Sequence, residues 1–222
     1  MLPKIVQKIA DNKSKDSLSH QLRSKRFLFF QHCIQQLPKP IHILDIGGTM
    51  AFWQSMNFNP LDIRITLLNL EPSSSVSYPF ECIQADATKL TQFGDQSVDI
   101  VFSNSVIEHL FTWENQQKMA QEVQRVGKNY FIQSPNYWFP IEPHWVFPCF
   151  QYLPFWVKCW MTQQFALGHI GAIKDAARAR EQVAEIKLLS LKEIKQLFPH
   201  SAVYKEKFMG LNKSFIAHSF GI

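Results

Sequence analysis

The stretch Ile41–Trp53, IHILDIGGTMAFW, decides how the rest of the chain must fold. A short β-branched run reaches an acid, Asp45, then a glycine pair, Gly47-Gly48, and then residues suited to a helix. Glycine is needed where backbone must take positive φ or let a ligand approach closely. Amides at the start of the following helix can then donate to a carboxylate or phosphate. The same residues can also close a bare strand–helix turn with no ligand. A dinucleotide pattern, Gly-x-Gly-x-x-Gly counted from Gly47, would require glycine where the chain has Thr49 and Phe52, so a nicotinamide site does not fit.

Working outward, Arg23–Gln36 carries an apolar stripe through Phe27, Phe30, Cys33 and Ile34, and residues 1–37 are expected as an N-terminal helical arm that Pro38 and Pro40 terminate. Further strands are expected at Ile63–Leu70, Glu81–Ala85, Val98–Ser103 and Asn129–Gln133, with a helix over Glu114–Val126. Strands alternating with helical connections predict right-handed parallel crossovers and a sheet covered on both faces. After Pro135 the pattern breaks. It resumes at Ser190-Leu-Lys-Glu193, a capping box opening a helix that ends near Phe198. Ala202–Met209 and Lys213–Phe220, joined across Gly210-Leu211-Asn212, predict a closing antiparallel hairpin.

The 222 residues carry a net charge of +5, and Lys4, Lys8, Lys13, Lys15, Arg23, Lys25 and Arg26 against Asp11 and Asp16 account for all of it. The body is therefore formally neutral, which argues against a broad nucleic-acid face, and the basic arm reads as a solvated helix face. Cys33, Cys82, Cys149 and Cys159 form no metal-ligand spacing with each other or with histidine, so no metal is expected and the thiols read as reduced core residues of a cytoplasmic protein. No apolar signal core opens the chain, and Pro148, Pro154 and Lys158 interrupt its most apolar window.

The motif at Asp45 and its successors resemble the class I S-adenosylmethionine-dependent methyltransferases, particularly small bacterial methyltransferase-domain members. The resemblance implies a Rossmann-like α/β fold: a doubly wound, mostly parallel seven-stranded sheet with a terminal antiparallel hairpin. It implies S-adenosyl-L-methionine as cofactor, with Asp45, Gly47, Gly48 and Thr49 in the loop that holds its methionine part. Thr49 and Ala51 stand where the family usually has glycine. The acid that grips the ribose at the end of strand two corresponds to Asn69, with Glu71 two residues on. Gln84-Ala-Asp-Ala87 resembles the adenine pocket through Asp86 and Ala87. Ser97–Leu110 resembles strand four and the start of the helix after it, placing Asn104 and Ser105 at the carboxyl edge of the sheet, where such folds bind ligands. The (Asn/Asp)-Pro-Pro-aromatic stretch of enzymes that methylate nucleic-acid bases is replaced here by Asn104-Ser-Val-Ile.

On this reading residues 38–222 form the methyltransferase domain, with 136–188 inserted after strand five as a lid or acceptor-binding element. From Tyr137 to Trp160 the insertion is crowded with aromatic rings, and Glu142 and Lys158 are the only charged residues of that stretch. Such rings can form a small core of their own, line an apolar acceptor pocket, or dip into a membrane interface. The expected acceptor is a small molecule or a lipid-like one, with peripheral membrane contact left open. In Ser134–His144, which resembles a stretch of some family members, His144 is the first candidate base, Glu142 its orienter and His109 the second candidate. The alternative is a non-catalytic cofactor-binding or partner-binding protein on the same fold.

Overall fold

A computed structural model describes residues 18–58, 62–71 and 77–221. Lys4, Lys8, Lys13 and Lys15 of the expected arm lie outside these residues. The described part begins with α1 (Leu18–Ile34), β1 (Ile41–Ile46), α2 (Met50–Ser55), β2 (Ile63–Asn69), β3 (Phe80–Gln84) and β4 (Val98–Asn104). A single 3-10 turn, Ile107–His109, leads into α3 (Trp113–Val126) and β5 (Gly127–Pro135). The insertion contributes a two-stranded ribbon, β6 (Ile141–Glu142) and β7 (Phe147–Pro148), then α4 (Phe155–Gln164) and α5 (Ala176–Glu185). The chain closes with α6 (Leu191–Leu197), β8 (Ala202–Phe208) and β9 (Leu211–His218).

The main sheet has seven strands in the order β3-β2-β1-β4-β5-β9-β8. The first five are parallel, and β9 joins β5 antiparallel. The winding direction reverses between β1 and β4, and ligands of doubly wound sheets bind outside the strand ends at such a switch. Side chains alternate between the two faces, as strand geometry requires. Ile41 and Ile43 join Phe27 and Phe30 of α1, while Leu44 and Ile46 join Met119 and Val123 of α3 and Ile194 of α6. Each such fully buried side chain contributes about 1.5–3 kcal/mol. The described part of the N-terminal helix thus packs as a layer on the sheet.

Two sequence expectations change. Arg26 is not on a solvated face: it is buried and makes a two-pronged ion pair with Glu206 of β8. The hairpin turn is tighter than expected, because Phe208 pairs with Leu211 and leaves Met209-Gly210 as a two-residue loop. Both have positive φ, 50° and 81°, the backbone that matches the twist of a hairpin. In the region after Pro135, Trp145, Phe150, Cys159, Leu167 and Val183 form a third buried cluster, the small core that its aromatic rings were expected to be able to form. The helix signal that went unused there is Asp175, whose side chain caps α5 by accepting from the Arg178 amide at 2.8 Å. Among the described residues no helix is long and apolar enough to cross a membrane.

Candidate active site

The first part of the site grows from Asp45 at the end of β1. Its carboxyl is buried, and Oδ2 accepts from the Trp53 indole at 2.7 Å. Burial pushes its pKa up to about 8, against the pull of the indole bond. The chain then folds back over this carboxyl so closely that a Cβ on Gly48 would lie 1.8 Å from Asp45 Oδ2. Gly47 takes φ +72°, and a Cβ there would lie 2.5 Å from Val106. Both glycines are thus required, one by its neighbour and one by its backbone. Thr49 caps α2 by accepting from the Phe52 amide at 3.2 Å. Gly47 and Thr49 stay exposed.

Strand register brings the other expected residues to this edge unequally. Asn69 is half-buried and donates to the Gly48 carbonyl at 2.9 Å, so it abuts the loop. Glu71 is exposed beyond β2. Asp86 is exposed and accepts from the Thr88 amide and hydroxyl, both at 2.8 Å, while Ala87 is buried in the core beneath. Asn104 is committed elsewhere: its Oδ1 accepts from the Arg26 guanidinium, itself paired with Glu206 at 3.1 Å. Burial raises the Glu206 pKa, but Arg26, Lys213 and Ser214 together hold it below the ordinary range. Ser105, at φ 59°, turns the chain out of β4 and donates to Gln133 Oε1 at 2.8 Å.

That turn leads to the second part. The His109 amide closes on the Val106 carbonyl at 2.8 Å, in the same turn whose Val106 side chain touches Gly47. His109 is held through Nδ1 by Glu185 Oε1 of α5 at 2.8 Å. His144, from the ribbon loop, is held through Nδ1 by Glu142 Oε1 at 2.7 Å. Glu142 is buried, and its other oxygen accepts the amides of His144 and Trp145 at 2.7 Å each. The two Nε2 atoms face each other at 3.1 Å. Burial opposes charging His144, but the bond and charge of Glu142, with Glu108 and Glu185, outweigh it and raise its pKa. The three residues singled out for acid–base work, His144, Glu142 and His109, therefore meet. Glu108, Glu185 and Arg26 were not foreseen; Glu108 stood in plain view beside His109, but no spacing rule separates such an acid from a helix-start carboxylate.

A cavity of about 480 Å³ opens beside Glu142, lined by Phe111, Tyr137, Trp145, Phe150, Phe155, Lys158 and Lys187 among others. It is lined mostly by the insertion, with Phe111 and Thr112 from the turn before α3, rather than by the Gly47–Thr49 loop. Burial, with Lys187 nearby, lowers the Lys158 pKa.

Residues 45–130 match the family model of a methyltransferase domain. No curated protein matches the chain. Among solved structures it is similar to an S-adenosylmethionine-dependent methyltransferase from Aquifex aeolicus, at 11% identity and a TM-score of 0.50 over 98% of this chain and 97% of that one. It is also similar to the CurJ carbon methyltransferase, at 10% identity and a TM-score of 0.57 over 91% of this chain. The methyltransferase domain of the citrinin polyketide synthase gives 12% identity and a TM-score of 0.56 over 97% of this chain. The chain covers 55% of each of these last two. At such identities the structural likeness speaks to the fold.

Proposed function

We propose that this chain, whose residues 45–130 match a methyltransferase-domain model, uses S-adenosylmethionine to methylate a small-molecule or lipid-like acceptor held between the sheet edge and the insertion. The observation that carries this is the exposed Gly47–Thr49 loop at the switch between β1 and β4, drawn tight over Asp45 and braced by Asn69.

The residues present fit S-adenosylmethionine. Gly47 and Thr49 offer an exposed loop, Asn69 and Glu71 offer polar groups at the end of β2 for the ribose, and Asp86 offers an exposed carboxylate for the adenine amine. Asn104 serves by fixing Arg26 at the edge of β4, with Ser105 setting the exit of the chain. The bound cofactor supplies a methyl group on a positive sulfur. The protein's own task is chiefly to align a nucleophile with it. His144, steered by Glu142, sits where it can take a proton from an acceptor O–H or N–H through Nε2, and His109 backs it.

The insertion cavity lies in the size range of small-molecule sites, and its aromatic walls favour a bulky, partly apolar acceptor. The names of two similar folds, a carbon methyltransferase and a polyketide synthase domain, are in keeping with such an acceptor. Trp138, Trp156 and Trp160 are exposed on the insertion, at 65%, 73% and 51%, which suits contact with a lipid interface. Calorimetry with S-adenosylmethionine and its demethylated product tests the cofactor half, and no uptake at millimolar levels sinks the reading. Turnover on acceptor panels, with liposome flotation alongside, tests the other half. Activity confined to small polar acceptors, with no flotation, removes the apolar-acceptor proposal. Full turnover by His144→Ala removes the base.

A further inference from the structure

Glu108 is fully buried, and neither of its carboxylate oxygens has a hydrogen-bond partner in good geometry, the Ser134 hydroxyl and the local backbone interacting with it only weakly. Burying an acid this way costs several kcal/mol unless something positive answers it. The nearest candidates are the two imidazoles it shares a site with. A ligand atom from each of Glu108, His109 and His144 lies within 4.8 Å of the others.

The orientation of the rings is what makes the cluster unusual. Glu142 takes two amide protons on Oε2, which leaves Oε1 as the acceptor for Nδ1 of His144. Glu185 holds Nδ1 of His109 in the same manner while accepting from Gln182 on its other oxygen. With both Nδ1 atoms donating, the two Nε2 atoms face one point, 3.1 Å apart. At that distance a positive centre, either a proton or a metal ion, must lie between them. A histidine whose far nitrogen is anchored by a carboxylate is the arrangement that orients metal ligands.

We propose that Glu108, His109 and His144 form a divalent-cation site, with Glu142 and Glu185 as its positioning carboxylates. Nitrogens 3.1 Å apart, each about 2.1 Å from a shared ion, subtend roughly 95° there, close to an octahedral angle. The Glu108 carboxylate, within 4.8 Å of both nitrogens, would reach such an ion by moving closer or through water. Two imidazoles and one carboxylate favour zinc, iron, cobalt, nickel or manganese over magnesium or calcium. The remaining positions would take oxygens of the acceptor. This deepens the methyl-transfer reading and rests on its placing the acceptor here. It does not need His144 as base, since an ion on Nε2 would replace that role.

The test uses untagged full-length protein, stripped with chelator and dialysed, then titrated with Co2+ by calorimetry and visible ligand-field absorption. One ion per chain, displaced by Zn2+, is expected. Glu108→Gln should weaken uptake at least tenfold, Glu142→Gln by about 10- to 100-fold, and the His109→Ala/His144→Ala pair should abolish it. Glu108→Gln also guards against misfolding as the cause. It keeps the shape of a side chain whose charge burial already disfavours, so the metal-free protein should keep its Tm while losing the rise that Co2+ gives the parent. No Co2+ uptake by folded parent, or uptake indifferent to Glu108 and His144, overturns the site in favour of a proton shared by the rings. Product calorimetry on the same samples separates the two ideas. Cofactor uptake without cation uptake sinks this site alone, and cation uptake without cofactor uptake leaves the site standing and sinks the methyl-transfer reading.

Discussion

Asp45 and Gly48 are a matched pair, and each makes the other necessary. The carboxyl occupies the volume a Gly48 Cβ would need, 1.8 Å away, so Gly48→Ala must displace either the loop or the acid. A loss of roughly 3 kcal/mol or more is expected, with weakened uptake of cofactor product, measured by denaturant unfolding and calorimetry. Asp45 also makes stability depend on pH. An acid whose folded pKa lies near 8, against about 4 unfolded, holds its proton more tightly in the folded state. Its contribution is therefore complete below the unfolded value and fades as pH climbs toward 8, at a rate up to about 1.4 kcal/mol per pH unit. Asp45→Asn keeps an oxygen for the Trp53 indole and removes the titration. Its stability relative to the parent should rise between pH 5 and pH 8, and a gap that stays constant over that range would remove the assignment.

At the scale of elements, Arg26 joins α1 to β8 and β4. It is buried, and so is the Glu206 it grips with two nitrogens at 3.1 Å. Removing one partner strands a charge, so Arg26→Ala should cost about 3–5 kcal/mol, while Arg26→Met with Glu206→Leu should cost distinctly less. A double-mutant cycle on unfolding free energies reads the difference, and equal costs would mean that the pair's charge is not what matters. The hairpin allows the opposite kind of change. Met209 holds φ 50° in a two-residue turn, so Met209→Asn, which takes this backbone more easily, should add about 0.5 kcal/mol. These elements also show what was legible beforehand. Strands β1, β2, β4 and β5, the capping box at Ser190 and the paired strands β8 and β9 follow from local patterns that survive packing. Arg26 looked solvated because its partner lies 180 residues away, and no local rule reaches that far. The glycine loop could be read for the same reason that the strands could, its chemistry being contiguous. Of the histidine cluster, His144, Glu142 and His109 were named from the sequence, but Glu108, Glu185 and the meeting of the two rings were not, because the exit of β4, the ribbon loop and α5 come together only in three dimensions.

For the whole molecule, the division into cores matters most. The sheet has one cluster on each face, whereas Trp145, Phe150, Cys159, Leu167 and Val183 belong to a cluster of the insertion itself. The glycine loop belongs to the sheet and the cavity to the insertion, while His109 and His144 meet where the two join. A ligand confined to the sheet edge should thus stabilise the sheet without tightening the insertion, and an acceptor should do the reverse. At a hundred times its dissociation constant, the cofactor product should add about 2.7 kcal/mol to global stability. Hydrogen exchange should then slow in amides of β1, β2 and β4 that open only on global unfolding. Amides of α4 and α5 that exchange through local opening of the insertion should not slow until an acceptor is added. If product alone protected α4 and α5 as strongly as β1, the insertion would belong to the cofactor site, and the acceptor would have to be sought elsewhere on the surface.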